Sequence, residues 1–185
     1  MLANWTVHRW ETHCPSVGKS PSSLQNDDSQ PQTATLDILE QLVAFPIISA
    51  ESNLELIGQV GSLLTERAFG PSDCPIPPAR RPVCWHDWSM MAQGGLLSAH
   101  SNVVPVAGQE WMGDPFRLRC HDEMLFGRGT TDMRGFMASM LSMAQHAAQT
   151  RLNRPPMIAI ACNEEVGHPD TPQMLPSLKA TDRVR

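Results

Sequence analysis

Residues 94–135, GGLLSAHSNVVPVAGQEWMGDPFRLRCHDEMLFGRGTTDMRG, decide how this chain folds. A short apolar strand over residues 95–99 runs straight into His100. A glycine-rich turn, Gly127–Thr131, then delivers Asp132 to the start of a helix. Further on, a second apolar strand, Pro156–Cys162 (PMIAIAC), opens onto Asn163-Glu164-Glu165. His100, Asp132 and Glu165 recur at intervals of 32 and 33 residues, about one strand-plus-helix unit each. Strands lying side by side in a parallel sheet would bring these side chains to one edge, where open α/β sheets hold ligands. Imidazole and carboxylate together suit a divalent metal. Adjacent glutamates can divide the chemistry, one binding the metal while its neighbour takes a proton from water.

Each residue alone also has a plainer reading. A histidine at a strand end can be structural, Asp132 can cap its helix, and Glu164 with Glu165 can be a solvated pair in a loop. Their joint placement after strands carries the metal reading.

Composition narrows the classes. The chain has 185 residues, enough to bury one domain core, with 41% hydrophobic and 18% charged residues, as in a soluble globular protein. A formal net charge of −5 and no basic run argue against a nucleic-acid surface. No apolar run is long enough to span a membrane, and the N-terminal residues lack the apolar core of a secretion signal. Cys14, Cys74, Cys84, Cys120 and Cys162 fall singly, so they read as reduced thiols of a cytoplasmic protein, with no paired zinc spacing.

Residues 1–32 lack periodicity and read as a disordered or unrelated leader, with the domain itself over 33–185. Helical spacing predicts a helix over Thr35–Phe45, stopped by Pro46, and another over Ser52–Ala68, weakened by Gly58 and Gly61. The proline-rich stretch 69–93 shows no period. Phe116–Arg119 and Met124–Phe126 read as a hairpin or edge pair. A helix over Asp132–Gln149 should bury Phe136, Met140, Leu141 and Ala144, and His168–Leu178 reads as a short, interrupted helix. Alternating strands and helices indicate an α/β fold.

Three segments, LLSAHSNVVPVAGQEWMGDPF, LFGRGTTDMRGFMASML and CNEEVGHPDTP, resemble the signature blocks of the M20 family of dizinc amidohydrolases and peptidases, within it the acetylornithine deacetylase branch. AFPIISAESNLELI resembles the family's opening helices. The resemblance implies the three-layer αβα catalytic domain of a zinc-dependent exopeptidase type. It implies hydrolysis of an N-acyl amino acid with two Zn2+ ions, Co2+ being an alternative. His100 matches the first zinc ligand, Asp132 the carboxylate shared by both ions, Glu164 the general base and Glu165 the ligand of the other ion. The small-molecule substrate would be an N-acyl amino acid, and the family homodimerises.

Two departures accompany the resemblance. The family's His-x-Asp is His100-Ser101-Asn102 here, so Asn102 stands where an aspartate orients the ligand imidazole. Loss of such an outer partner costs about 10–100-fold in metal affinity or activity. The family's remaining acidic ligand, its late histidine and its dimerisation domain would all lie beyond Arg185, so the chain reads as about the first half of a catalytic domain. His121 and His168 match no family ligand. The codons of Cys84–Trp88, read one base later, encode a strand end like the family's, and 68–92 therefore reads as frame-shifted. Lost strands there would expose the second helix and the Leu96–Ala99 strand, giving a poorly soluble or molten chain. The alternative function is a catalytically inactive remnant or interaction module of the same family.

Overall fold

A computed structural model describes residues 30–48, 53–65, 84–86, 95–122, 124–147, 149, 156–167 and 172. Two helices come first, α1 (Gln30–Val43) and α2 (Leu54–Thr65). The α1 stripe buries Ile38, Leu39, Leu42 and Val43, and Pro46 follows the helix as its spacing predicts. Helix α1 begins five residues before the expected Thr35, so the leader boundary at residue 32 falls inside it.

Strands β1 (Cys84–His86), β2 (Leu96–His100) and β5 (Met157–Ala161) form one sheet in the order β1-β5-β2. β2 and β5 run parallel, with Leu97 opposite Ile158 and Ala99 opposite Ile160. Strands β3 (Arg119–His121) and β4 (Met124–Phe126) pair antiparallel as a separate hairpin, three residues later than expected at its first strand. The α/β class is as the sequence indicates. Leu97, Ala99, Ile158 and Ile160 share parity on one sheet face, and they join the core formed by α1, α2 and α3 (Gly135–Ala147).

Cys84–His86, the described part of the stretch read as frame-shifted, pairs antiparallel with β5. Two expectations need correction here. The apolar stripe of α2 is covered, since Leu56, Ile57, Val60 and Leu64 are buried and only Leu54 and, on β2, Leu96 stand about half exposed. In α3 the buried stripe is Met137, Ala138, Met140, Leu141 and Ala144, so Phe136, at its margin, is 44% exposed. The helical phase is set by the residues that meet α1, and Phe136 lies off that line.

The cysteines also differ from expectation. Cys162 is free and buried, but Cys120 is disulfide-bonded. The set is therefore not one of free thiols. Among the described residues, no helix is long and apolar enough to cross a membrane. The expected helix at His168–Leu178 lies almost wholly outside the described residues.

Candidate metal centre

His100 is the last residue of β2 and is buried, with 4% of its surface exposed. Its Nδ1 lies 3.0 Å from the main-chain oxygen of Asn102. An imidazole N–H donated to that carbonyl leaves the Nε2 lone pair facing outward, as a metal ligand needs. The orienting atom is thus the main-chain oxygen of Asn102, an acceptor that does not depend on which side chain stands at 102. The main-chain N–H of His100 donates to Met133 Sδ at 3.3 Å, which ties the strand end to the segment carrying Asp132.

Asp132 arrives by a route the sequence did not disclose. It follows the β3–β4 hairpin, not a strand of the parallel sheet, and sits in a kinked turn over Thr130–Arg134. Its own backbone is extended (φ −130°, ψ 101°), and the regular helix starts only at Gly135. Asp132 therefore stands ahead of the helix instead of capping it. Its Oδ1 is 3.3 Å from His100 Nε2.

Glycines make this turn feasible. Gly129 adopts φ +83°, and a Cβ there would lie 2.8 Å from Val103 Cγ1. A Cβ at Gly135 would run into the carbonyl oxygen of Thr130. Backbone cannot yield as a side chain can, so Gly135→Ala should cost about 1–3 kcal/mol. A urea midpoint unchanged from the parent would contradict that.

Glu164 and Glu165 lie in a single 3-10 turn, Glu164–Val166, which follows β5 after Cys162 and Asn163. Glu164 Oε2 is 3.6 Å from His100 Nε2. Donor atoms of His100, Glu164 and Glu165 all fall within 4.8 Å of one another, a group able to hold a metal ion. Asp132 borders this group through His100. The parallel register explains the meeting, because Ala161 pairs with His100 and places both strand ends level. His121 lies apart on the hairpin, exposed and 3.2 Å from Asp122, while His168 is outside the described residues.

Burial pushes the Glu165 carboxyl above its ordinary pKa; His100 opposes the rise, Asp132 and Glu164 add to it, and Arg128 opposes it. Arg128 is the nearby countercharge. It lies over the Trp111 ring at 4.9 Å and donates to Gln109 Oε1 and, at 3.4 Å, to the Pro105 oxygen. Its pKa is lowered by desolvation, against the pull of Glu165. The loop 105–115 is thus draped over the cation that faces the acidic cluster.

Sequence reasoning missed Arg128, Arg134, Asn53 and Ser101. A charged residue locked between two glycines of a turn is the one visible signal for Arg128. For the others no local pattern exists, as their roles rest on distant partners.

The sequence model of Peptidase family M20/M25/M40 matches residues 96–184. An acetylornithine deacetylase of Erwinia tasmaniensis is 33% identical over 142 residues, an alignment covering 70% of this chain and 36% of that protein. Residues 96–184 carry the sequence of the M20 family. Solved M20-type structures share the fold of this chain. Human carnosine dipeptidase 1 superposes with a TM-score of 0.61 at 22% identity, over 80% of this chain and 36% of that one. The M20 family metallo-carboxypeptidase Sso-CP2 of Sulfolobus solfataricus gives 0.56 at 20% identity, over 68% and 30%. The chain spans about a third of the length of the relatives it matches.

Proposed function

We propose that this chain carries part of the active site of a metal-dependent amidohydrolase acting on N-acyl amino acids, of the acetylornithine deacetylase type. One observation carries the reading. A buried imidazole, oriented through Nδ1, turns Nε2 toward Asp132 at 3.3 Å, and His100, Glu164 and Glu165 form a group of donors within 4.8 Å of one another. Gathered carboxylates repel one another without a cation, and mixed imidazole and carboxylate oxygen donors fit zinc or cobalt. The donor set therefore fits the group that the family implies.

His100, Asp132 and Glu165 would hold the metal. A divalent ion there supplies Lewis acidity toward an amide carbonyl and acidifies water. Glu164, about one third exposed, would act as general base, accepting the proton of attacking water and returning it to the leaving amine. Arg128 keeps a positive charge beside Glu165 and favours its ionised form. The cytoplasm and a homodimer follow only from the likeness to the family and belong to the same proposal. So does the partial span of the catalytic domain.

The test pairs binding with turnover. Zinc is titrated calorimetrically into the purified chain, and hydrolysis of N-acetylornithine is then followed with zinc present. Glu164→Gln should bind zinc within a few-fold of the parent and lose about 100-fold or more in rate, the scale of general-base catalysis. Zinc binding with equal rates for parent and variant would instead favour the inactive-module reading.

A further inference from the structure

Asn53 and Ser101 lock together the two strand ends that lead to His100 and to the Glu164–Glu165 turn. Asn53 immediately precedes α2, is 2% exposed, and its carbonyl accepts the first-turn N–H of Ile57 at 3.0 Å. Its Nδ2 donates to Ser101 Oγ at 2.9 Å across 48 residues of sequence. Ser101 is fully buried, and its hydroxyl donates onward to the main-chain oxygen of Ala161 at 3.2 Å, across 60 residues. The Ser101 N–H reaches the same oxygen at 2.9 Å. A hydroxyl has one proton, so donation to Ala161 leaves its lone pairs to accept from Asn53. Among the described residues Asn53 Oδ1 accepts no hydrogen bond, so the carboxamide acts on this relay through its donated bond.

The positions of these atoms give the relay its effect. Ser101 follows His100 directly, and Ala161 ends β5 three residues ahead of Glu164. The sheet ladder stops at the His100–Ala161 pair. Two donors of one residue converge on one carbonyl there, and the side chain of Asn53, just ahead of α2, holds the hydroxyl in place. A metal site needs its donors held to within about 0.5 Å. We propose that Asn53 and Ser101 are positioning residues of the metal centre, a buried relay that fixes the stagger of His100 against Glu164 and Glu165. The inference rests on the metal reading of that site.

Calorimetric zinc titration of the full chain tests it, using Ser101→Ala, Asn53→Ala, the double variant, and Ile38→Val as a core control of modest stability cost. Each variant's urea midpoint is recorded alongside. Ser101→Ala should lose about tenfold in zinc affinity, within the range for outer-shell partners, and Asn53→Ala somewhat less. The double variant should match Ser101→Ala, because both lie on one relay. Ile38→Val should bind zinc as the parent does. Parent-like affinity in both Ser101→Ala and Asn53→Ala overturns the inference while the metal centre stands. An equal affinity loss in Ile38→Val, or losses that simply add in the double variant, overturns it too. Should the unaltered chain bind no zinc, the metal reading falls, and this inference with it.

Discussion

Arg134→Leu should destabilise the chain by about 3–5 kcal/mol, read as a large drop in urea midpoint. The guanidinium is fully buried and donates to the main-chain oxygens of Val43 at 3.1 Å and Phe45 at 2.7 Å. Those carbonyls lie at and just past the end of α1, where the negative end of the helix attracts a cation, and the Phe45 oxygen also accepts from the Ile47 N–H. Burial, then the charge of Arg128, pulls the Arg134 pKa down to about 10, so it remains protonated at neutral pH. Leucine would fill part of the space but strand the Val43 oxygen, at about 1–3 kcal/mol, and take from Phe45, whose oxygen keeps the Ile47 N–H at 2.9 Å, a charged donor worth about 1.5–3 kcal/mol. Against a typical total stability of about 5–15 kcal/mol, that is a large fraction. Arg134→Lys, which keeps the charge but lacks the fork, should fall between. A midpoint for Arg134→Leu within error of the parent would rule out this clamp.

The second large effect separates stability from binding. Glu165→Gln should lower zinc affinity by more than about 100-fold, beyond the loss of an outer-shell partner, and should raise the melting temperature of the metal-free chain. In the folded chain, burial and the carboxylates of Asp132 and Glu164 raise the Glu165 pKa. The folded state therefore holds a proton at pH values where the unfolded chain has released it. Stability from this group is greatest below the ordinary glutamate pKa and declines as pH rises toward and through the raised one. Zinc reverses the sign, because it binds the carboxylate and its affinity climbs across the same interval. Melting curves of the metal-free parent from pH 4 to 7 should show this component, and Glu165→Gln should lack it. A variant that melts lower than the parent at pH 7 without metal would show that Glu165 is a structural partner and not a strained ligand.

Much of the scaffold was legible because periodicity is a local property. Leu39, Leu42 and Val43 recur at helical spacing and are buried. The apolar runs that end at His100 and Cys162 became adjacent parallel strands, as their lengths and flanking turns predict. The metal-ligating candidates were legible for a related reason: reactive side chains placed just beyond apolar strands emerge together when those strands pair in register.

Other features depended on what a residue meets across the fold. Arg134 lies 91 residues from Val43, and Asn53 lies 48 from Ser101, so no window of sequence contains either pair. Asp132 looked like a residue after a parallel strand, whereas the kink at Thr130–Arg134 brings it in from a separate hairpin. The contact of His100 Nδ1 with the main-chain oxygen of Asn102 is likewise one that side-chain identities do not announce. Phe136 is apolar and at helical spacing, yet the line of contact with α1 leaves it exposed. By itself the sequence determined which segments are apolar, at what period, and which chemical groups stand at their ends. Only the tertiary structure decided which buried polar atoms find partners, since a hydrogen bond is set by distance in space and the chain can close that distance in many ways.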